Sequence, residues 1–526
     1  MPEPVVELVN LFSQAYDNFV ATARTCYSAK GIVGPSDVAG PPGAEASELE
    51  LRRQRKYALA QSLFKAGHHT TLQHAHAQFA LDKVSRQFIW SFLHSHPFYN
   101  SEQVSQRYVS VKEENFHVPD DLSGEARELY LSTVRGQMKD YQDLCGFLRD
   151  AVSAEYFGRF KGRYGTKRAD TDIKKRAQEA ARYVLPLATH AYLYHTVSVI
   201  TLLRYYRMCQ QYDVPREQRQ VTEAMVRALL AREPEFETVL QEPLPLEETP
   251  EFEFFKNRGV GIVDTESARK FVAEFDAELD GKWSALAGWN NHNEENVAAA
   301  VREVLGLSRG DLSDDNALLL VLDPAQNSLF GESMNMTSLG KLSRSLFHAH
   351  YVFKKVLSHA GDSQDQRHRM TPGSRPIMMR HYTGKPDYIM PPVFEKAPEA
   401  LSRYQESMEK TWNAVNRLLS MGVDAETVSY LLPNAVKIRF TESGDLLNLH
   451  HKMAMRLCYN AQEEIWRASL DEATAISRVN PRIGRWLLPP CGLRKCASEK
   501  PICPEGDRYC GIPVWRLERE QYVRTI

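Results

Sequence analysis

The sequence carries little net charge and has no long apolar run. Its 65 Lys and Arg nearly balance 67 Asp and Glu, which leaves a formal net charge of -2 over 526 residues. That balance argues against a basic nucleic-acid coat and against an acidic solvating tail. No window reaches the roughly 18 consecutive apolar residues that a membrane-spanning helix needs, and the opening Met-Pro-Glu-Pro is unlike a secretory signal. We therefore expect a cytoplasmic protein with neither a membrane partner nor a nucleic-acid partner.

Cysteine is scarce, and the eight cysteines are unevenly placed. The scattered ones are Cys26, Cys145, Cys209 and Cys458, and the clustered ones are Cys491, Cys496, Cys503 and Cys510. We expect the scattered four in the core. The clustered four alternate with Pro and Gly, so turns would bring their thiolates together as ligands of tetrahedral zinc or of a [4Fe–4S] cluster. Four reduced thiols, or two labile disulfides, remain the alternatives.

The 43 % of hydrophobic residues excludes a disordered chain, and their periodicity divides the sequence. Helical spacing is expected at 5–27, 48–66, 84–93, 122–230 and 266–480, with the strongest helix at 182–211, and alternation at 74–81 predicts a strand. A stretch rich in Glu and Pro at 232–256 predicts a domain boundary.

Two segments repeat at an offset of 247 residues. Arg182-Tyr183-Val184-Leu185-Pro186-Leu187-Ala188 aligns with Ser429-Tyr430-Leu431-Leu432-Pro433-Asn434-Ala435. Val84-Ser85-Arg86 also resembles Leu342-Ser343-Arg344, and Ser105-Gln106-Arg107-Tyr108 resembles Asp365-Gln366-Arg367-His368. The common order and near-constant offset predict a diverged tandem duplication.

The stretch from Gly67 to Val109 holds a dense set of His, Ser, Gln, Glu and Arg. Its chemistry-bearing residues are His68, His74, His94, His96, Glu102, Gln103, Ser105 and Arg107. A guanidinium beside hydroxyl and amide groups suits a phosphate, because Arg supplies charge-assisted bonds and Ser a neutral one. A polar, solvated loop is the alternative.

These residues resemble a known family. Gly-His-x-Thr-x-Leu-Gln-His (67–74), Val-Ser-Arg (84–86), Glu-Gln-x-Ser-Gln-Arg-Tyr-Val (102–109) and Arg-Tyr-Val-Leu-Pro-Leu (182–187) are similar to motifs of the flavin-dependent thymidylate synthases, the ThyX family. Arg456 and Ala-Gln-Glu-Glu-Ile (461–465) resemble a later motif of the family. A typical member has about half this length, which agrees with two copies.

The resemblance implies a set of site residues. Catalysis and phosphate binding would fall to Arg107, Arg182 and Arg456, substrate binding also to Glu102, Gln103 and Ser105, and cofactor binding to His68, His74, His94 and His96. The first copy departs from the family where His94-Ser95-His96 replaces Arg-His-Arg and where Cys209 replaces a phosphate-binding arginine. In the second copy Ser429 stands at the position of Arg182. We therefore expect each copy to lack what the other supplies, so that three arginines share one phosphate.

These patterns together predict a helix-rich α+β fold with two ThyX-like domains in tandem. We place the first domain at 1–231, an acidic linker at 232–265, the second, degenerate domain at 266–485, and a small Cys-rich module at 486–526. Since family members are usually homotetramers, the chain is expected to form a homodimer that mimics one. The implied function is FAD-dependent methylation of dUMP to dTMP with NADPH and methylenetetrahydrofolate. The alternatives are a flavin or folate enzyme acting on another pyrimidine nucleotide, and a catalytically silent nucleotide-binding regulator.

Overall fold

A computed structural model describes residues 3–41, 43–95, 98–332 and 334–524. The chain divides into two compact units. Unit 1 consists of residues 1–135, 186–263 and 414–431, and unit 2 of residues 136–185, 264–413 and 432–526. Each unit therefore contains one segment from the opposite half of the sequence.

The first half of the chain contains four strands and ten helices among the described residues. In order these are β1 (Val5–Leu11), α1 (Ala15–Thr25), α2 (Pro35–Ala39), α3 (Ala46–Lys65), β2 (His76–Ser85), α4 (Arg86–His94), β3 (Asn100–Gln103), α5 (Gly124–Phe147), α6 (Arg149–Arg159), α7 (Lys167–Ala181), β4 (His190–Ser198), α8 (Val199–Arg207), α9 (Pro215–Arg232) and α10 (Pro250–Arg258).

The second half has the same number of strands and of helices among the described residues. In order these are α11 (Thr265–Leu279), β5 (Ser284–Trp289), α12 (Asn293–Leu305), α13 (Asp314–Leu322), β6 (His350–Ser358), α14 (His359–Asp365), β7 (Gly373–Ser374), α15 (Pro398–Ser420), α16 (Ala425–Ser429), β8 (Lys437–Asp445), α17 (Leu446–Arg456), α18 (Glu463–Val479), α19 (Pro481–Gly484) and α20 (Pro490–Cys496).

Unit 1 is built on an antiparallel sheet with strand order β1-β2-β4-β3. Side chains on a strand alternate between the two faces, and in β2 Ala77, Phe79 and Leu81 are buried. Phe79 is paired with His195 of β4, and Glu102 of β3 with Tyr194. The short strand β3, which carries two of the predicted substrate-binding residues, thus lies at one edge of this sheet.

Unit 2 repeats this sheet in the order β5-β6-β8-β7. In β6 the inward positions are Tyr351, Phe353, Lys355 and Leu357, all buried. The aliphatic core lies between this sheet and helices of the unit and includes Val297, Leu318, Leu446 and Ile476. Lys355 is therefore an ammonium group on the apolar face of a core strand, which requires compensating charges.

Each central strand runs directly into a helix through a capping side chain. Ser85, Ser198, Ser358 and Asp445 are the N-cap residues of α4, α8, α14 and α17. Each side-chain oxygen accepts a backbone N–H from the first turn of its helix, which satisfies a donor that would otherwise lack a partner. The same strand–cap–helix junction thus occurs twice in each unit and fixes the structural equivalence of the two copies.

The predicted helix-rich α+β class and the duplication are confirmed, with one four-stranded sheet in each copy. The predicted helices at 48–66 and 84–93 and the strand at 74–81 correspond to α3, α4 and β2. Three expectations were wrong in part. Residues 5–11 form β1 rather than the start of a helix, and the helix expected at 182–211 is a short 3-10 turn followed by β4 and α8. The segment 266–480, expected to be helical, also contains the four strands β5 to β8.

The acidic segment after α9 is folded onto unit 1. The Glu233 carboxylate accepts the backbone N–H groups of Ala15 and Tyr16, at 3.1 and 3.3 Å, and so caps the start of α1. Phe236 is fully buried against the ring of Tyr16. The acidic segment, which the sequence predicts to be a domain boundary, therefore also packs into the core of unit 1. No helix within the described ranges has the length and hydropathy to cross a bilayer.

Candidate active site

The predicted substrate-binding residues of the first copy lie on and after β3, in unit 1. Gln103 Oε1 accepts a 2.7 Å hydrogen bond from the Arg86 guanidinium. Ser105 Oγ accepts the backbone N–H of Arg107 at 3.3 Å, and the Arg107 guanidinium lies 5.6 Å from the ring centre of Tyr108. Glu102 is exposed on the edge strand. The structure thus orders this loop by local contacts, and its role in substrate binding stays a prediction.

The predicted cofactor histidines are dispersed over unit 1. His68 and His74 are exposed, on the turn after α3 and at the end of the following 3-10 turn. His94 ends α4, and its Nδ1 donates a 2.7 Å bond to the carbonyl oxygen of Trp90. His96 lies outside the described residues. No contact between these described histidines supports the prediction that they form one cofactor site, and it remains untested.

Arg182 belongs to unit 2 and is only 5 % exposed. Its guanidinium donates a 2.6 Å bond to Gln462 Oε1. The amide of Gln462 in turn donates to the Tyr183 hydroxyl and to Glu464 Oε1, both at 2.6 Å, while the Tyr183 hydroxyl donates to Glu464. A predicted phosphate-binding arginine is therefore held by an ordered chain of buried polar groups.

This chain ends at the cap of α14. Glu464 accepts the Ser358 backbone N–H at 2.7 Å and the Ser358 hydroxyl at 2.5 Å. Burial raises the pKa of Glu464 above its usual value, and the bonds from Ser358 and Tyr183 and the charge of Arg182 offset only part of this rise. Burial and Glu464 raise the pKa of Tyr183 well above its usual value, so its phenol remains a donor at neutral pH. We call Arg182, Gln462, Tyr183, Glu464 and Ser358 the Glu464 network.

Unit 1 contains the counterpart of the end of this network. Glu217 accepts the Ser85 backbone N–H at 2.7 Å, the Ser85 hydroxyl at 2.6 Å and the Tyr430 hydroxyl at 2.7 Å. Glu217 and Glu464 are 247 residues apart, as are Tyr183 and Tyr430. In each unit the tyrosine comes from the opposite half of the sequence. The repeat offset read from the sequence therefore identifies equivalent buried Ser–Glu–Tyr sets.

Arg456 ends α17 in unit 2 and is 9 % exposed. Its guanidinium donates a 2.9 Å bond to the Gln364 carbonyl oxygen, and its Nε lies 3.9 Å from Asp365 Oδ1. Burial, reinforced by the charge of Arg456, lowers the pKa of nearby His368 well below its usual value. His368 is therefore a neutral imidazole close to a fixed cation.

A buried ion cluster lies directly beside Arg456. Lys355 Nζ lies 3.0 Å from Asp365 and 2.9 Å from Glu472, and Lys452 Nζ lies 2.8 Å from Asp365 and also contacts Glu442. All five side chains are at most 1 % exposed. Burying unpaired charge is costly, but opposite charges at these distances offset each other. The cluster thus fixes Asp365, which in turn holds Arg456.

The equivalent positions of unit 1 carry no such charges. By cap and strand register, Asp365, Glu442 and Lys452 correspond to Phe92, His195 and Tyr205. Those three rings contact one another, with centroids 4.4 to 5.8 Å apart. Burial alone lowers the pKa of His195 to about 3. One copy has therefore kept an ion cluster where the other packs neutral rings.

The caps also correct the predicted alignment of the two copies. Ser358, not Ser343, is the counterpart of Ser85, because both cap the helix that follows the central strand. Counting from these caps, Arg367-His368-Arg369 corresponds to residues 94–96 rather than to the segment at Arg107. The weaker repeat matches predicted from the sequence therefore do not join equivalent positions and were wrong. The gapless repeat at 182–188 and 429–435 does join equivalent positions, because Tyr183 and Tyr430 each donate to the glutamate that accepts from the cap serine.

A shallow, open cleft lies beside the Glu464 network in unit 2. It is lined by both cationic and anionic side chains and by apolar ones. These are Val152, Arg176, Glu179, Ala180, Tyr183, Pro391, Val393, Gln462, Glu463 and Arg524. A small number of convergent polar groups among apolar ones is also found in small-molecule sites. Sequence patterns singled out none of Arg176, Glu179 and Arg524, which lie outside every quoted motif.

The predicted zinc or iron–sulfur site on the clustered cysteines is not supported as drawn. Within the described ranges, no group of three or more His, Cys, Asp or Glu side chains could hold a metal ion. Cys491, Cys503 and Cys510 line one small pocket together with Cys458, and Cys496 is not among the residues that line it. All eight cysteines are free thiols, and Cys26 is exposed, so the expected core position is wrong for it, while Cys209 is buried as predicted.

Comparison with known proteins gives a consistent result. The family model described as thymidylate synthase complementing protein (Thy1) matches residues 7–235 and 290–482. A flavin-dependent thymidylate synthase of Clostridium tetani is 24 % identical over 189 residues, which cover 36 % of this chain and 66 % of that protein. One of Sulfurisphaera tokodaii is 32 % identical over 154 residues, covering 28 % and 57 %. The matched part of the chain thus spans between 57 % and 66 % of the length of these relatives.

Among solved structures, the chain is similar to a UMP/dUMP methylase, PolB, from Streptomyces cacaoi bound with 5-Br dUMP, at 20 % identity and a TM-score of 0.29 over 45 % of this chain and 96 % of that one. The family model covers well over half of the chain, and its two matches fall in the two halves that carry the equivalent sheets. The chain therefore belongs to the Thy1 family of thymidylate synthase complementing proteins, with the family domain present twice.

Proposed function

We propose that the chain methylates dUMP to dTMP, with FAD as cofactor and with NADPH and methylenetetrahydrofolate as co-substrates. The observation that carries this proposal is the match of the family model to both halves of the chain. Relatives at 24–32 % identity are named flavin-dependent thymidylate synthases, which supports the proposed reaction. The fixed polar groups around Arg182 and Arg456 support unit 2 as the place where it occurs.

The substrate's phosphate requires fixed positive charge. Arg182 and Arg456 are buried guanidinium groups, each held by at least one hydrogen bond. A guanidinium binds a phosphate through paired, charge-assisted bonds, and a side chain that is already ordered loses less entropy on binding. We propose that both arginines contact the phosphate of the substrate in unit 2. The substrate-binding role that the family resemblance implies for Glu102, Gln103, Ser105 and Arg107 in unit 1 stays a prediction.

A flavin dinucleotide would fit the donor set of unit 2. Its diphosphate is anionic and its ring accepts hydrogen bonds. Arg367 and Arg369 follow α14 on either side of His368. Arg176 and Arg524 line the cleft beside the Glu464 network. When bound, the flavin would carry reducing equivalents from NADPH to the one-carbon unit. The role of the chain is to supply cations for the diphosphate and a neutral imidazole, His368, that can hold a proton at one ring nitrogen. The histidines of unit 1 remain further candidates.

Glu464 and Tyr183 hold these groups in place rather than react. Because the Tyr183 hydroxyl donates to Glu464 and accepts from Gln462, the amide of Gln462 has one orientation, with its oxygen towards Arg182. Fixed orientation of the binding groups is a major source of rate enhancement. We further propose a cytoplasmic homodimer, in line with the sequence expectation.

The test is complementation of a thymidine-requiring bacterial strain by the full chain. The wild type should restore growth without thymidine, and Arg456→Gln should abolish it. Arg478→Gln, which removes an exposed arginine at the end of α18, is the matched control and should grow like wild type. Absence of growth with well-expressed wild-type protein would refute the proposed reaction. Unchanged growth of Arg456→Gln would remove that residue from the site.

A further inference from the structure

The buried ion cluster of unit 2 extends into a larger charge set with as many carboxyl groups as cations. Among the described residues, its members are Lys355, Lys452, Arg375, Arg456, Asp362, Asp365, Glu442 and Glu472. No side chain of this charge set is more than 10 % exposed. With every member ionised, the charge set is neutral.

The fold itself does not require these charges, because the equivalent sheet of unit 1 folds without them. By strand register, Lys355 corresponds to Leu81. At the repeat offset of 247 along the equivalent helices α9 and α18, Glu472 corresponds to Met225. Leu81 and Met225 are both buried in the core. Since apolar residues in place of a buried ion pair are often neutral or stabilising, stability alone does not explain the charges of unit 2.

Glu472 is the carboxyl group of the charge set with the least compensation. Its Oε1 lies 2.9 Å from Lys355 Nζ and accepts a 3.0 Å hydrogen bond from the Ser284 hydroxyl. Its Oε2 is buried and has no hydrogen-bond partner in the part of the chain that the structure describes. Asp365, by contrast, lies close to three cations. A buried carboxyl group with few charge partners binds a proton most readily.

The electrostatics of the charge set agree with this geometry. Burial raises the pKa of Glu472 above its usual value, and the charges of Lys355 and Lys452 offset only part of the rise. Burial also opposes the ionisation of Asp365, but three neighbouring cations, one of them Arg456, hold its pKa well below its usual value. The charged groups that face Glu472 come from β6, α17, β8 and α14 and are Lys355, Lys452, Glu442 and Asp365. Because Asp365 and Glu472 share Lys355, a change of charge at Arg456 reaches Glu472.

A bound phosphate would change the balance of the charge set. A phosphate dianion carries two charges, and its proposed contacts with Arg182 and Arg456 would match both. The groups left in the charge set would then carry one negative charge in excess, which is costly in a buried place. Burial lowers the pKa of His368 and His451, so these imidazoles beside Arg456 are neutral at pH 7 to 8. A proton from solvent on Glu472 would restore neutrality.

We propose that Glu472 binds one proton when the phosphate of dUMP binds at Arg456, so that substrate binding and proton uptake are linked. This inference rests on the proposed contact between Arg456 and the phosphate. It assigns the charges that distinguish unit 2 from unit 1 to the binding of an anionic substrate.

The experiment is calorimetric titration of dUMP into the full chain with saturating FAD, at pH 7.5, in buffers that differ in ionisation enthalpy. The second pKa of a phosphate monoester is about 6, so dUMP is already a dianion at this pH. Wild type should take up roughly half a proton or more per dUMP, and its Kd should rise about 3- to 10-fold from pH 7 to pH 8. Deoxyuridine, which lacks the phosphate, should bind without proton uptake.

The variant Glu472→Gln tests the assignment of the proton. The amide keeps the size of the side chain and reproduces the charge of the protonated acid. The variant should take up no proton and should bind dUMP more tightly than wild type at pH 8, whereas damage to the fold would weaken binding. Glu303→Gln, which removes an exposed carboxyl group near the end of α12 in the same unit, is the matched control and should keep the wild-type uptake.

The outcomes separate this inference from the proposed function. Binding of dUMP by the wild type without proton uptake overturns the inference and leaves the proposed function standing. Uptake that persists in Glu472→Gln overturns the assignment to this residue. Wild-type protein that does not bind dUMP overturns both. The wild-type titration decides whether protons are taken up even where a variant fails to fold.

Discussion

The equivalent tyrosines of the two copies provide a matched pair for locating the chemistry. Tyr183 and Tyr430 are 4 % and 1 % exposed. Each donates a hydrogen bond to a buried glutamate that also accepts hydrogen bonds from a helix-capping serine. Replacing either by Phe removes one hydroxyl and leaves the carboxylate with one donor fewer. A buried hydrogen bond to a charged group contributes about 1.5–3 kcal/mol. For units of this size, we expect each variant to lower the Tm by roughly 3–10 °C.

The two variants should differ sharply in activity. Of the two tyrosine hydroxyls, the one of Tyr183 accepts a hydrogen bond from Gln462, and Gln462 in turn accepts one from Arg182. The Tyr183 hydroxyl therefore helps to orient Arg182. If that orientation contributes the same 1.5–3 kcal/mol to transition-state binding, Tyr183→Phe lowers kcat/KM for dUMP by about 10- to 100-fold. Tyr430→Phe should stay within about twofold of wild type. The assay is NADPH-dependent dTMP formation, with Tm measured on the same preparations. Equal losses of activity in both variants would refute the assignment of the site to unit 2, and an unchanged Tyr183→Phe would refute the role of the Glu464 network.

Two further predictions concern buried ionisable groups. Burial lowers the pKa of His195 to about 3 in the folded chain, whereas an exposed histidine titrates near 6.5. As the pH falls below about 6.5 the unfolded chain therefore binds a proton at this residue and the folded chain does not, so the folded state loses stability. Between pH 8 and pH 5 this loss is about 2 kcal/mol. In urea titrations at the two pH values His195→Gln should reduce the difference by that amount, and an undiminished difference would contradict the reasoning. Lys452→Met leaves Asp365 and Glu442 with less compensation and should cost about 3–5 kcal/mol in the same titrations, whereas Lys270→Met, at an exposed ion pair, should leave the urea midpoint close to that of the wild type. Equal costs would show that the buried cluster is not held by charge.

Local patterns were enough to predict elements whose periodicity is unambiguous. The alternation of β2 and the apolar face of α4 are clear in the sequence, and both elements lie where they were expected. Residues 5–11 show why periodicity fails elsewhere. Their Val and Leu residues satisfy helical spacing and alternation equally well over so short a run, and pairing with β2 decides for the strand. At Pro186 a helix was expected to accommodate the ring, but the chain turns there and starts a strand.

Local motifs predicted only some residues of the candidate site, because the other residues make their contacts far along the sequence. Arg182 and Arg456 were found through motifs, and both are buried in unit 2. Lys355 was missed, although an ammonium group at an inward position between Phe353 and Leu357 is a visible signal in the sequence of β6. Gln462 and Glu464 were quoted as part of a motif without a role, because their partners lie about 280 residues away and no local pattern indicates so distant a contact.

The exchange of segments between the two halves of the sequence makes each half incomplete without the other. Unit 1 includes residues 414–431, where Tyr430 and Thr427 bind Glu217 and Asp121. Unit 2 includes residues 136–185, which supply Arg182 and Tyr183. Cutting the chain in the acidic segment 232–265 would therefore separate each unit from one of its own segments and yield two incomplete products rather than two domains.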